Sequence, residues 1–528
     1  MKKWIIRKPN AENVKKIMQK SDLSHLAAEI LVARGFESIE RAADFFAGGE
    51  LSDPFLIKDM PEAAEIINAA VEDGKSICVY GDYDCDGITA TVMLFSYLEA
   101  LGADVSYYIP ERSEGYGMSE NAVRKLAGDG VELIITVDNG ISAVKEADLI
   151  AELGIDLVIT DHHQPSEILP KAAAIVDPHR ADCTSPFKDL CGAGVVLKLI
   201  AALDGGSYDA AMEQFSELAA LGTVADIVKL CGENRLIVQN GLHMLENTEN
   251  LGISALIDQC KLTESKITST SIGYMIAPRI NAAGRFGSPT LAVKLLLSED
   301  DDEAAELAAE LSRLNAARKE CEQDILAEIE DIIAENPSIL NERVLIFSGN
   351  NWNAGVIGIV SARIVEKYSK PSFIISINGD VGTGSARGIA GFSIFKSLTA
   401  CADLFQRFGG HPGAGGFTIC TRNIPAFVKN MAEFTKSAYQ IMPTAAITAE
   451  KVVLPEDLTV KNIESLNVLE PFGEGNVRPI YAILGARINS VIPLSGGKHT
   501  KLLLDYGNAQ VTLLMFGTEP DNFALKQG

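Results

Sequence analysis

Between Ser76 and Asp177 short apolar runs alternate with longer amphipathic stretches. The runs Ile77–Tyr80, Val105–Ile109, Leu133–Val137, Leu157–Thr160 and Ala174–Val176 predict strands, and their intervals of roughly 20–30 residues suit βα units with a parallel sheet. A glycine turn after the first strand leads into a helix predicted over Ile88 to Ala100. From Ala202 to Leu296 the pattern is mostly helical, with loops expected at Leu230–Asn234 and Ala277–Pro289. Asp301 to Asn336 carries Leu307, Leu311, Leu314, Ile325, Ile329 and Ile332 near helical spacing with charges between them, which predicts one long helix bridging two domains. A second α/β unit follows: strand Arg343–Ser348, helix Gly355–Tyr368, strand Ser372–Ile377, a glycine-rich segment and a helix over Ser393–Phe408. Beyond Ala446, β-rich stretches at Ile480–Leu484, Lys501–Leu504 and Val511–Phe516, with a turn at Ser495-Gly496-Gly497, predict a small barrel-like β domain. The expected fold class is α/β: two α/β lobes joined by a long helix, plus a C-terminal β-barrel. The boundaries that follow are an N-terminal segment 1–50, a first lobe 51–300, a connecting helix 301–340, a second lobe 341–440 and the β domain 445–528.

Composition changes this picture little. The 528 residues are 47% apolar and 22% charged, ordinary for a globular chain of several domains. No apolar run approaches the roughly 18 residues needed to span a bilayer, and Trp4-Ile5-Ile6 is too short for a secretory core. Nine cysteines without a CxxC pair argue against a disulfide framework or a structural zinc site. A cytoplasmic protein without membrane contact is expected. The net charge of −25 speaks against coating nucleic acid by bulk electrostatics, yet leaves room for a local basic groove.

The chemistry lies at the strand ends. Gly81-Asp82-Tyr83-Asp84-Cys85-Asp86-Gly87 follows the first strand, and Asp161-His162-His163 follows the fourth. Carboxylates this close repel by roughly 3 kcal/mol per pair at about 5 Å and an effective dielectric near 20. A divalent cation removes that cost, and oxygen ligands with one or two imidazoles suit Mn²⁺ or Mg²⁺. Asp138, Asp161 and Asp177 fall past other strand ends, the edge where open parallel sheets collect their ligands. A two-metal hydrolase needs four to six such ligands, and the candidates are Asp82, Asp84, Asp86, Asp138, His162 and Asp226. Taken alone, Asp138-Asn139-Gly140 is also a plain turn, Asp226 a helix cap and His162 a structural histidine. His163 is expected to face away from His162, suited to holding or protonating a phosphate oxygen, or else to orienting its neighbour.

The strings GDYDCDG, VDNG, TDHH and GTVADIV resemble the four-part pattern of DHH-family phosphoesterases. Further strings resemble the RecJ single-strand-specific exonucleases: Pro110-Glu111-Arg112, Glu114-Gly115-Tyr116-Gly117, Cys191 to Val195, Ala277 to Arg285, Trp352 to Gly358 and Pro471 to Asn476. The resemblance implies a DHH lobe, a DHH-associated lobe and an oligonucleotide-binding (OB) domain. It implies processive 5′→3′ degradation of single-stranded DNA to mononucleotides in repair and recombination, with Mn²⁺ or Mg²⁺ as a pair of ions and no ATP. By the same resemblance Asp84, Asp86, Asp138, His162 and Asp226 are metal ligands with Asp82 beside them, and Asp138 and His163 serve catalysis. Arg112, Arg279, Ser385 and Arg387 are phosphate contacts, the last two within a Gly382–Gly388 loop offering backbone N–H groups, and the Gly409-Gly410-His411 string that closes the preceding helix turns His411 toward the site. A monomer working beside single-strand-binding protein is the expected assembly.

The chain departs from the family pattern at Asn353 and in the glycine-rich Pro412–Gly416 stretch, and its end at Gly528 predicts an incomplete OB domain. Two alternatives remain: a DHH phosphodiesterase for short oligonucleotides or cyclic dinucleotides, and a non-catalytic scaffold of a replication complex. A Ser–His–Asp hydrolase finds no GxSxG elbow.

Overall fold

The computed structural model describes residues 3–520 apart from 39, 43, 44, 46–48 and 116, so Tyr116 and the last eight residues of the expected β domain lie outside the described residues. The first lobe holds the strands β1 (Ile77–Tyr80), β2 (Val105–Tyr108), β3 (Leu133–Val137), β4 (Asp156–Thr160) and β5 (Ala174–Val176), buried throughout in β1, β3 and β5, with Ser106 of the edge strand β2 and Asp156 of β4 exposed. They form one parallel sheet in the order β2-β1-β3-β4-β5. Successive side chains alternate between two cores. Val79, Ile135 and Val158 pack with α1 (Cys85–Ala100), α4 (Gly192–Leu203) and α5 (Asp209–Ala225), whereas Tyr80, Ile134 and Ile159 pack with α2 (Glu120–Gly128) and α3 (Val144–Glu152). Both faces are covered, as a parallel sheet requires.

Two boundaries in this lobe differ from the sequence pattern for identifiable reasons. Helix α1 starts at Cys85 rather than Ile88 because the Asp84 carboxylate accepts the amides of Asp86 and Gly87, and that cap outweighs the poor helix propensity of Gly87. Ala277–Phe286 is a helix, not a loop. It follows α6 (Gly232–Leu245) in the helical half of the lobe and is numbered α7. It continues directly from a π-helical turn, Ile272–Ile276, and Pro278, which has no N–H to give to the preceding turn, sits just past that irregularity. The long helix α8 spans Asp301–Glu335.

The second lobe holds β6 (Leu345–Asn350), α9 (Ile357–Tyr368), β7 (Ser372–Asn378), β8 (Val381–Arg387), α10 (Ile394–Thr399), β9 (Phe405–Gly410), β10 (Ala414–Cys420) and α11 (Ile424–Ala438). Its sheet runs β9-β10-β8-β7-β6, with only β6 and β7 parallel. Here the sequence pattern misleads twice. The glycine-rich segment is the strand β8, so its amides are engaged with β7 and β10 rather than offered to a phosphate. The helix expected over Ser393–Phe408 stops at Thr399, and Gly409-Gly410 ends a strand instead. Phe405 draws the chain into the sheet, its ring 4.8 Å from Phe417 and 5.4 Å from Phe427.

Two compact units emerge, Gly48–Ala445 with Pro471–Asn476, and Lys2–Ala47 with Ala446–Glu470 and Val477–Gly528. Within the second unit, Lys3–Ile6 pairs in parallel with Ala446–Ala449, and Arg34 and Lys451 form ion pairs with Glu450 and Glu29. Arg487–Leu494, His499–Tyr506 and Ala509–Met515 make an antiparallel meander.

Candidate metal centre

The strand order places a topological switch between β1 and β3: the chain leaves β1 for β2 on one side and returns to β3 on the other. Ligands bind at such crevices beyond the strands' carboxyl ends. Asp82 to Asp86 leave β1 there and Asp138 leaves β3. Asn139 staples the two strand ends, its amide donating to the carbonyls of Tyr80 and Val137. Asp138 itself takes φ +63°, a left-handed conformation that Asp tolerates better than most residues.

Helices press on the crevice from below. A Cβ at Gly192 would fall 2.5 Å from Asp138 Cβ, so glycine lets the start of α4 reach the strand end. Both oxygens of Asp86 accept amides of that start, from Gly192 at 2.6 Å and Ala193 at 2.9 Å, and the helix dipole favours its charge. From α7, Asn281 caps the Cys85 amide at 2.8 Å. Asp226 arrives at the end of α5.

Six predicted ligands therefore meet. His162 Nε2 lies 3.0 Å from Asp138, 3.8 Å from Asp226 and 3.9 Å from Asp86. Ligand atoms of Asp82, Asp84 and Asp138 lie within 4.8 Å of one another, as do those of Asp86, His162 and Asp226, and those of Asp138, His162 and His163. Two buried atoms there, Asp82 Oδ1 and His162 Nε2, have no hydrogen-bond partner among the described residues. Buried polar atoms are seldom left so, and a cation with oxygen and imidazole ligands supplies what they lack.

The electrostatics point the same way. Burial and the neighbouring Asp84 push Asp82 up to about 8, burial and Asp86 push Asp226 up to about 8, and burial with the Asp86, Asp84 and Asp82 charges raises Asp138 well above the usual carboxylate range. Burial lowers His162 and keeps it neutral, the form that binds metal. Burial works against charge on His163 too, but its hydrogen bond to Asp161 and the charges of Asp161, Asp226 and Asp86 prevail and raise it to about 9. His163 does not point away from His162: past the strand end the alternation lapses, and the two rings sit 4.3 Å apart.

Asp161 was on the predicted ligand edge without a role. Its Oδ1 accepts the amides of His162 and His163 and meets His163 Nδ1 at 2.7 Å, while Oδ2 takes the Ile141 amide, so it orients the His163 ring and ties down the backbone of both histidines.

The basic residues divide. Arg112 lies over the Tyr83 ring, and Ser385 and Arg387 sit together on β8 against Gly358 at the start of α9. Arg279 does not join them: its guanidinium donates to Ser312 Oγ and to the Met275 and Gln259 carbonyls, which commits it to packing α7. Arg285, absent from the predicted set, lies nearer the acidic cluster. Burial lowers it to about 10, with Arg112 and Asp84 among its charged neighbours, and it donates to the Gly355 carbonyl of the second lobe. His411 lies in the exposed turn after β9, and none of its contacts among the described residues reaches the cluster. Asn353 accepts the Gly355 amide, a structural part.

Residues 76–223 match the DHH family N-terminal domain, 337–437 the DHHA1 domain and 450–528 the RecJ OB domain. The chain is 38% identical over 523 residues to the single-stranded-DNA-specific exonuclease RecJ of Bacillus subtilis (strain 168), covering 97% of this chain and 66% of that protein. It is 30% identical to the RecJ of Dickeya dadantii (strain 3937), covering 94% of this chain and 89% of the relative. Among solved structures it is similar to RecJ in complex with Mn²⁺ from Thermus thermophilus, with a TM-score of 0.83, 30% identity, and coverage of 97% of this chain and 74% of the other. Among the described residues no helix is long and apolar enough to cross a membrane.

Proposed function

The chain belongs to the RecJ family of single-stranded-DNA-specific exonucleases, and on that premise we propose that its metal centre hydrolyses single-stranded DNA from the 5′ end to 5′-mononucleotides. One observation carries the reading: five carboxylates and a neutral imidazole converge at a sheet's switch point around two orphaned buried ligand atoms. Asp82, Asp84 and Asp138 would hold one divalent ion, Mn²⁺ or Mg²⁺, and Asp86, His162 and Asp226 the other. Such a pair supplies Lewis-acid stabilisation of the charge that grows on the phosphate and acidifies an attacking water.

The chain's own residues do the rest. Asp161 fixes the His163 imidazole and the backbone of His162. His163, its ring held by Asp161, holds a non-bridging oxygen of the scissile phosphate through a ring N–H. Arg112, Arg285, Arg387 and Ser385 bind the DNA phosphates at the 5′ side, guanidinium forks matching phosphate oxygens. Tyr83, under Arg112, offers a stacking face to a base. The protein works as a cytoplasmic monomer in repair and recombination, beside single-strand-binding protein.

The test is a long single-stranded DNA labelled separately at each end, digested with Mn²⁺ or Mg²⁺ and with chelator. Mononucleotides released first from the 5′ label, and abolished by chelator, are expected. A surviving long strand with cleaved dinucleotides would replace the reading with a small-substrate phosphodiesterase. Arg285→Ala should raise KM for 5′-phosphorylated DNA about 10–100-fold, the scale of a lost hydrogen bond to a charged group. A smaller rise for 5′-hydroxyl DNA is expected, and equal changes on both substrates would remove Arg285 from phosphate recognition.

A further inference from the structure

Six residues, Pro471–Asn476, pack within the catalytic unit although the chain on either side of them belongs to the other unit. We propose that this segment is a clamp that positions Asp226 for metal binding, a role that rests on reading Asp226 as a ligand.

Asp226 closes α5, its amide still bonded to the Gly222 carbonyl. The next residue, Ile227, adopts φ +62° with its side chain 69% exposed. A β-branched residue holds that conformation only where its surroundings impose it, and an exposed side chain contributes little of that constraint. The constraint must come from the rest of the loop, which joins Asp226 to α6.

The clamp meets that loop directly. The Leu230 amide donates to the Glu474 carbonyl at 2.8 Å. Leu230 is buried against Gly473, where a Cβ would fall 2.6 Å from its side chain, and a Cβ at Gly475 would come 3.1 Å from Lys229 Cβ. The clamp is itself rigid. Gly473 and Asn476 exchange backbone hydrogen bonds at 2.9 and 3.2 Å, and Asn476, 2% exposed, donates from Nδ2 to the Pro471 carbonyl at 2.8 Å. It is anchored by Ser269, whose hydroxyl donates to the Phe472 carbonyl, and by Arg235, which donates to the Pro471 carbonyl at 3.4 Å. On the loop's other side, Asn234 Nδ2 reaches the Lys229 and Asp189 carbonyls. The loop is thus held from both sides, and the ligand four residues before Leu230 inherits that fixity.

Gly473→Ala and Asn476→Ala test this in the full chain. The first pushes on Leu230 and the second unlocks the turn. Titration of the metal-free protein with Mn²⁺, followed by calorimetry and electron paramagnetic resonance, should show one of two ions bound about 10–100-fold more weakly, the usual result of removing a residue that orients a ligand. The KM for single-stranded DNA at saturating Mn²⁺ should be unchanged. Leu230→Ala in the Gly473→Ala background makes room for the added methyl and should recover part of the affinity. Amide exchange at 227–231, measured without metal, should quicken in both single variants. Unchanged Mn²⁺ affinity or unchanged exchange overturns the clamp, as does a loss confined to DNA binding. Asp226→Asn, run in parallel, separates the two readings: if it leaves Mn²⁺ affinity intact, the ligand assignment fails on its own account, while the exchange data still judge the clamp.

Discussion

Asp138→Asn should cost on the order of 10³-fold in the single-turnover rate of DNA hydrolysis, the scale lost with one group that stabilises a developing charge, while making the metal-free protein more stable. Both effects come from one geometry. Asp138 is 2% exposed, 3.0 Å from His162 Nε2, and within ligand distance of Asp82 and Asp84. Burial, then the charges of Asp86, Asp84, Asp82 and Asp226, disfavour its ionised form, so the amide relieves strain that otherwise only a bound proton or a cation relieves. Asparagine has the same shape and tolerates the same left-handed backbone, so the fold should be kept. The variant should therefore melt higher than the parent without metal, yet gain less from added Mn²⁺, since ligand stabilisation follows affinity. Melting curves with and without Mn²⁺, set beside single-turnover rates, check both halves. A rate within tenfold of the parent, or an undiminished Mn²⁺ gain, would remove Asp138 from the metal centre.

The candidate ligands at the strand ends are legible in the sequence because a parallel sheet turns a one-dimensional signal into a place: an acid just past an apolar run lands on the ligand edge. Asp226, which closes the helix α5, carries no such signal. What stayed hidden depended on orientation or on distant pairing. Arg279 and Arg285 lie six positions apart on α7, so they occupy different faces of the helix. With Ala277–Pro289 taken as a loop there was no helical phase to choose between them. The glycines of β8 look like a phosphate-binding loop until β7 and β10 close on both its edges. His163 lies three residues beyond the end of β4, where strand alternation no longer says which way a side chain faces. The pairing of Lys3–Ile6 with Ala446–Ala449 joins segments from opposite ends of the chain, which local patterning cannot register. Asp161 stood on the predicted edge, but its work is second to the histidines it holds, and only its four hydrogen bonds reveal it.

Without metal, stability should fall steadily as pH rises from about 5 to about 9, and saturating Mn²⁺ should flatten most of that slope. Asp82 and Asp226, each raised to about 8 chiefly by burial and by a neighbouring carboxylate, keep their protons in the folded state at pH values where the unfolded chain has lost them. The folded state then binds more protons than the unfolded one, so unfolding free energy decreases with pH between the ordinary carboxylate value and about 8. His163 acts in the same direction. Its folded value of about 9 lies above that of free imidazole, so the stability given by its bond to Asp161 is whole below about 6.5 and is lost as pH climbs through 9. Each unit of difference is worth about 1.4 kcal/mol for an independent group, and the aspartates share a site, so their protons leave as a set. Divalent ions compete with those protons: binding at pH 7 should release protons into solution, measurable as a buffer-dependent enthalpy. Denaturant melts of the metal-free protein at pH 5, 7 and 9, repeated with Mn²⁺, give the slope directly. A metal-free stability that rises over this range would mean that the carboxylates are already ionised and compensated by protein groups, and the cluster would then need no cation.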